Sequence, residues 1–304
     1  MEFIMNVSSR VLIKEFTIIR DELSLDNSRI DVSNSNYVTI SDCIITDSNI
    51  GIYATGSNNL LILNNTFTHN QKCIYASVEC GNMYIIGNTF SLYENNSYGI
   101  YLQANGKYYI HNNTIKSHTN FSHFSCGIYI DGTSSIKSNI VTNCHIGLWL
   151  TDGVHNIEYN LFKNNKQIGI YAYFSSTNIN NNNIEQNGNN FITYQNNLKP
   201  GGIIIYASKN EYCSIGYNKI SNNRGYGIYL NGIYNSDNKI INNDFLKNSR
   251  QAFYINSRCY WQHNYWEKEK HFPKIILGFI QINSFLIIPT FQIDYNPSDT
   301  FHFT

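Results

Sequence analysis

A chain of 304 residues in which only 14% are charged, with 21 basic and 21 acidic side chains, has no whole-chain field to draw it to nucleic acid or an anionic membrane. Its 42% hydrophobic content is enough to bury a core, and Ile, Phe and Tyr interleaved through Asn-rich tracts such as Asn178 to Asn183 argue against a disordered chain. Seven cysteines, an odd number without a repeated CxxC spacing, exclude a complete disulfide framework and a zinc ribbon and read as small buried residues.

Taken in order, Met1 to Arg20 has Arg10, Lys14 and Glu15 among its apolar residues and shows neither a signal-peptide core nor a membrane span. Val11 to Ile19 already reads as part of a strand-like rung, and Ile30-Asp31-Val32 with Tyr37 to Ile44 reads as a second. From Gly51 a short motif recurs: Gly51-Ile52-Tyr53-Ala54, Cys73-Ile74-Tyr75-Ala76, Gly99-Ile100-Tyr101-Leu102, Gly127-Ile128-Tyr129-Ile130, Gly147-Leu148-Trp149-Leu150, Gly169-Ile170-Tyr171-Ala172, Gly202-Ile203-Ile204-Ile205, Gly227-Ile228-Tyr229-Leu230 and Ala252-Phe253-Tyr254-Ile255. The step is about 20 to 33 residues, the signature of a solenoid whose turns each contribute the same strand. Between these motifs lies a second part carrying Asn before an apolar residue, as in Asn65-Thr66-Phe67, Asn113-Thr114-Ile115, Asn218-Lys219-Ile220 and Asn264-Tyr265-Trp266.

Alternating apolar-in, polar-out strands without a helical period predict an all-β parallel β-helix of roughly ten rungs rather than a β-sandwich, which needs hairpin dipeptides between its strands. Asn fits the corners because it tolerates left-handed backbone, and stacked amides can hydrogen-bond from rung to rung as an Asn ladder. The expected organisation is a β-helix over residues 1–266 and a C-terminal tail, 267–304, packing on the last rungs or along one face.

Both repeat elements resemble the right-handed parallel β-helix repeats of the pectate lyase-like superfamily, in particular the NosD-like and the carbohydrate-binding and sugar-hydrolase repeat proteins. The similarity runs from about Val11 to Trp266, and Asn264-Tyr265-Trp266 followed by Pro273, Gly278, Pro289, Asp294 and Pro297 is similar to the tail that closes many such proteins. The resemblance implies an extracellular or cell-surface location and a polysaccharide or glycan partner. The lyases of the superfamily would imply acids clustered around Ca²⁺, and no such cluster is present. Copper handling is associated with NosD-like relatives, yet the chain has no Met/His/Cys constellation for it. No cofactor, metal, nucleic acid or integral membrane segment is expected.

With Ile128 and Ile130 inward, Tyr129 points outward, and its equivalents form an external aromatic stripe: Tyr53, Tyr75, Tyr101, Tyr129, Trp149 and Tyr171, a break at Ile204, then Tyr229 and Tyr254. Aromatic faces beside polar groups suit sugar rings. Tyr101, Gln103, Tyr129, Trp149 and Tyr171 are therefore the expected substrate-binding residues. The longer connections, Ser91 to Tyr98, Lys116 to Cys126 and Glu185 to Gly201, emerge on one edge and bring Tyr93, Glu94, His118, His123, Phe191, Tyr194 and Lys199 toward the stripe, with His123 a further binding residue. Asp131, on the parity of Tyr129, and Asp152, one position out of register, are the candidate catalytic acids of a glycoside hydrolase or a polysaccharide lyase. The alternative from a different class is a non-catalytic structural or adhesive surface solenoid whose tyrosines merely stack. The two readings part at the surface: a glycan site needs an open groove where acids and aromatics converge, and a structural stack is buried by the tail or flat and featureless.

Overall fold

The computed structural model describes residues 3–6, 9–19, 28–118, 124–189, 198–207, 211–232, 238–267, 273–282 and 286–303. They form a parallel β-solenoid of about ten turns, with no helix among the described residues. The chain divides into two compact units, Met1–Trp149 and Leu150–Thr304.

In the first unit, strand pairing begins at Phe3–Asn6, ahead of the Val11 rung expected from sequence, and pairs with Ser28–Ser33. Each turn carries three strand segments rather than two: residues 72–76, Asn82–Ile86 and Thr89–Leu92 make one turn, and residues 97–103, 106–111 and Thr114–Ser117 the next. The second part of the sequence repeat is thus two strands joined by a two-residue corner. The sharing of labour there explains why Asn recurs in pairs. The first corner residue takes the left-handed backbone, as at Asn64 (φ 54°) and Asn112 (φ 57°), a conformation Asn accepts more readily than most side chains. The second, Asn65, Asn88, Asn113 and Asn139, is buried and builds the ladder.

Each ladder amide works in both directions. Asn113 Nδ2 donates to the carbonyls of Ile85 (2.8 Å) and His111 (3.0 Å) and to Asn139 Oδ1 (3.0 Å), while its Oδ1 accepts from the backbone N–H (2.9 Å) and Nδ2 (3.1 Å) of Asn88. Inside, like stacks on like: Ile74, Ile100 and Ile128 align, as do Ile85, Ile110 and Ile136, and Phe67 stacks on Phe90 at 4.9 Å. All these side chains are fully buried, each worth about 1.5–3 kcal/mol relative to exposure.

The second unit repeats the scheme with two ladders. Asn160, Asn182, Asn218, Asn243 and Asn264 form one, and Asn165, Asn187, Asn223 and Asn248 the other, at the corner preceding the Gly-initiated strands. The first ladder ends on a different residue. Asp294 Oδ2 accepts from Asn264 N–H (3.1 Å), Asn264 Nδ2 (3.0 Å) and Trp266 Nε1 (3.1 Å), so a group without a donor closes a chain that needs no donor beyond it. Asp294 belongs to the tail, whose strands Lys274–Gln281 and Ile287–Asp294 form an antiparallel hairpin; Gly278 pairs with Tyr254 and Asp294 with Trp261. Further on, the backbone N–H groups of His302 and Phe303 donate to the buried Asp244 carboxylate.

Candidate functional site

In the first unit the aromatic column forms as the parity of the repeat dictates. Tyr53, Tyr75, Tyr101 and Tyr129 are in register from turn to turn, with ring centroids 5.4, 5.3 and 4.7 Å apart and planes tilted by about 40–46°; Trp149 follows Tyr129 at 5.5 Å, edge-on. All five rings are partly open to solvent. Asp31 occupies the same register one turn before Tyr53.

Polar groups flank the rings. Gln103 and Asp131 are register partners two residues beyond Tyr101 and Tyr129, and Tyr75 Oη donates to Gln103 Oε1 at 3.4 Å. Tyr53 Oη and Ser77 Oγ lie 2.9 Å apart. The sequence reading missed the cation on this face: Lys72 Nζ sits 4.2 Å from the Tyr75 centroid and 4.7 Å from that of Tyr101, within cation–π reach. Its place, three residues before Tyr75 and in register with Tyr98, is the signal that was available. Burial lowers the Lys72 ammonium below its ordinary value. Burial, followed by the neighbouring phenols and the Asp131 carboxylate, pushes Tyr101 up to about 12.

The edge connections hold a second stack, also missed from sequence. Tyr93 lies flat between His69 (4.4 Å, 8°) and His118 (4.5 Å, 7°). Beside His69 is a polar groove of about 390 Å³ lined by Asp47, Ser48, Asn49, Gln71, Glu94 and Asn95. The connections touch each other, Phe124 N–H donating to Asn95 Oδ1 at 3.1 Å. His123, Phe191 and Tyr194 lie outside the described residues.

In the second unit the same column is covered. Tyr171 is 5% exposed, Ile204 0%, Tyr229 2% and Phe253 7%. Tyr206 bridges the break at Ile204, 6.0 Å from Tyr171 and 5.8 Å from Tyr229, and Tyr226 lies against Tyr229 and Phe253 at 5.2 and 5.7 Å. Tyr171 is therefore a buried residue rather than part of an open stripe. The last position is also corrected: Tyr229 pairs with Phe253, and Tyr254 faces Leu230 on the core parity, where its hydroxyl donates to Thr290 Oγ1 at 3.0 Å. A one-residue slip in a strand exchanges its two faces.

The two candidate acids differ in setting. Asp131 is half-buried on a strand beside the rings. Asp152 is an exposed corner residue with φ 50°, and its carbonyl accepts a hydrogen bond from Nε2 of the buried His155 at 2.6 Å.

The paired register of both units defines the class: this is a β-helix protein, and residues 4–135 match the family model described as right handed beta helix region. Residues 116–279, more than half of the chain, match the model described as periplasmic copper-binding protein (NosD). The chain belongs to the NosD family. It is also similar in structure to a hyperthermoactive exopolygalacturonase from Thermotoga maritima, at 12% identity and a TM-score of 0.33, covering 88% of this chain and 58% of that one. No curated protein matches the chain. The side chains of the described residues do not make a copper site. Among the described residues no three of His, Cys, Asp and Glu converge, six of the seven thiols are buried, and burial raises Cys43, Cys73, Cys80, Cys126 and Cys213, the last to about 12. No helix among the described residues is long and apolar enough to cross a membrane.

Proposed function

We propose that the first unit binds an extended polysaccharide along Tyr75, Tyr101, Tyr129 and Trp149, with Gln103 and Asp131 meeting sugar hydroxyls and Lys72 supplying a cation at the rim. The observation that carries this reading is the openness of those rings beside polar neighbours, in a protein whose second unit covers the same column. Stacking supplies apolar contact to the C–H faces of sugars, and the flanking amide and carboxylate fix orientation. The place of action in this reading is the periplasm or the cell exterior, in keeping with the description of the family.

A catalytic extension assigns Asp131 as an acid of a hydrolase or lyase reaction; Asp152, the other candidate read from sequence, belongs to the second unit. The competing reading, a structural or adhesive solenoid, is favoured by the buried column of the second unit. A glycan array probed with wild type and with Tyr129→Ala plus Trp149→Ala separates them: wild type binds, and the double variant loses about tenfold or more in affinity. Absence of any glycan binding by wild type leaves the structural reading. Where reducing ends are released, Asp131→Asn abolishes the release, and retained activity removes that residue from the chemistry.

A further inference from the structure

An apolar cleft lies far along the sequence from the aromatic stripe, within the second unit. The strands Arg250–Ile255 and Lys274–Gln281 pair at Tyr254–Gly278 and Ile255–Phe279. Toward Arg250 and Lys274 the two strands splay, and a cleft of about 570 Å³ opens between them. That volume is within the range of small-molecule sites, roughly 300–1,000 Å³. Phe253, Trp266, Ile275 and Leu277 make its walls, while the charged lining residues among those described are Arg250 and Lys274, with no carboxylate among the described lining residues.

Those two cations are placed against aromatic rings. The Arg250 guanidinium carbon lies 5.0 Å from the Phe253 centroid and 5.4 Å from that of Tyr226; Lys274 Nζ is 5.9 Å from Trp266. No ion pair of Arg250 with a carboxylate is found among the described residues. The apolar surface continues out of the cleft along the hairpin, where Ile275 is 56% and Leu277 64% exposed. A ligand complementary to this arrangement has one anionic end and a slender apolar body that follows the strand.

We propose that this cleft binds a free, unbranched acyl carboxylate, its head group on Arg250 with Lys274 nearby and its chain along Phe253, Ile275 and Leu277. Charge complementarity selects an anion over a neutral amphiphile, because a carboxylate brought beside an arginine in an apolar setting makes a charge-assisted contact that an alcohol does not match. The site is independent of the glycan reading and stands or falls without it.

Calorimetric titration of the full chain with decanoate below its micellar concentration, with decanol, and with phosphatidylglycerol vesicles tests the proposal. Expected are saturable one-to-one binding of decanoate, decanol weaker by about tenfold or more, and loss of that preference in Arg250→Gln. Leu277→Asp, which places a like charge on an exposed wall, abolishes decanoate binding while circular dichroism shows the fold intact. No saturable decanoate binding, equal affinity for decanol, or binding to vesicles alone overturns the proposal.

Discussion

The Gly-Ile-Tyr motif is written almost identically in both units, yet it produces an open aromatic face in the first and a buried one in the second. Two residues beyond the column the first unit places Thr55, Gln103 and Asp131, whereas the second places Tyr173 and Tyr206. Large rings in the flanking column lie over their neighbours, and small or polar groups leave them open. The corner before the motif differs as well. The second unit closes it with the ladder from Asn165 to Asn248, while the first has Asn70, accepting from Ser48 Oγ, and gives the space to the connections that carry Tyr93, His118 and Phe124. A repeat motif sets the fold; the columns beside it decide whether a surface is available for recognition.

The largest effect expected from this contrast is on stability. Tyr229→Ala empties a buried position and costs about 3–5 kcal/mol, whereas Tyr129→Ala, at the same place in the repeat, costs about 1 kcal/mol. Urea midpoints of the two variants measure the difference, and equal losses would break the distinction between covered and open columns. Next come the ladders. Asn113→Ala takes the side-chain donor from Ile85 C=O and the acceptor from the Asn88 N–H, cuts the ladder between Asn88 and Asn139, and costs about 3 kcal/mol. Asn182→Ala cuts its ladder in the same way, but Asn187 still holds the neighbouring corner of that turn, and we expect a loss smaller by about 1 kcal/mol. Identical losses would show that the second ladder gives no support.

Acid offers a third way to separate the units. His155 in the second unit is dry, and burial lowers its imidazole to about 4 against the hydrogen bond to the Asp152 carbonyl, which favours the protonated ring. With the folded value below the ordinary 6.5, the unfolded chain takes up the proton first. Stability is therefore full above about pH 6.5 and falls as pH drops toward about 4, by up to roughly 3 kcal/mol. Amide exchange at pH 7 and pH 4.5 should show the second unit loosening, and His155→Gln should remove that part of the pH dependence. A His155→Gln variant as acid-sensitive as wild type would assign the effect to other groups.

How far the sequence could carry these conclusions depends on which neighbour a residue needs. Inward Ile columns, corner Asn residues and the outward parity of Tyr101 and Tyr129 follow from local alternation and are legible in one repeat. The burial of Tyr171 and Tyr229 depends on Tyr206 and Tyr226, which belong to other columns and neighbouring turns. The misplacement of Tyr254 has a local cause: Gln251-Ala252-Phe253-Tyr254-Ile255 lacks the glycine and is apolar on both parities, so only the pairing of Arg250 with Tyr226 sets its register. The division of the second part of the repeat into two strands escaped notice, because the corner Asn residues do not say that the stretches on both sides of them are strands.

The smallest expected effect is the most informative about function, and it concerns Lys72. An ammonium whose folded pKa is lowered is held less tightly by the folded protein than by the unfolded chain, so its charge opposes folding at neutral pH despite the rings of Tyr75 and Tyr101 beneath it. Solvent screening keeps the net effect under about 0.5 kcal/mol. Lys72→Met should therefore leave the urea midpoint unchanged or slightly raised, while weakening glycan binding by a few-fold through loss of the cation at the rim. A residue that contributes nothing to stability and something to binding belongs to a recognition surface. Should Lys72→Met lower stability by about 1 kcal/mol and leave glycan affinity intact, the cation would belong to the structural stack instead, and the open face of the first unit would differ from the covered face of the second in exposure alone.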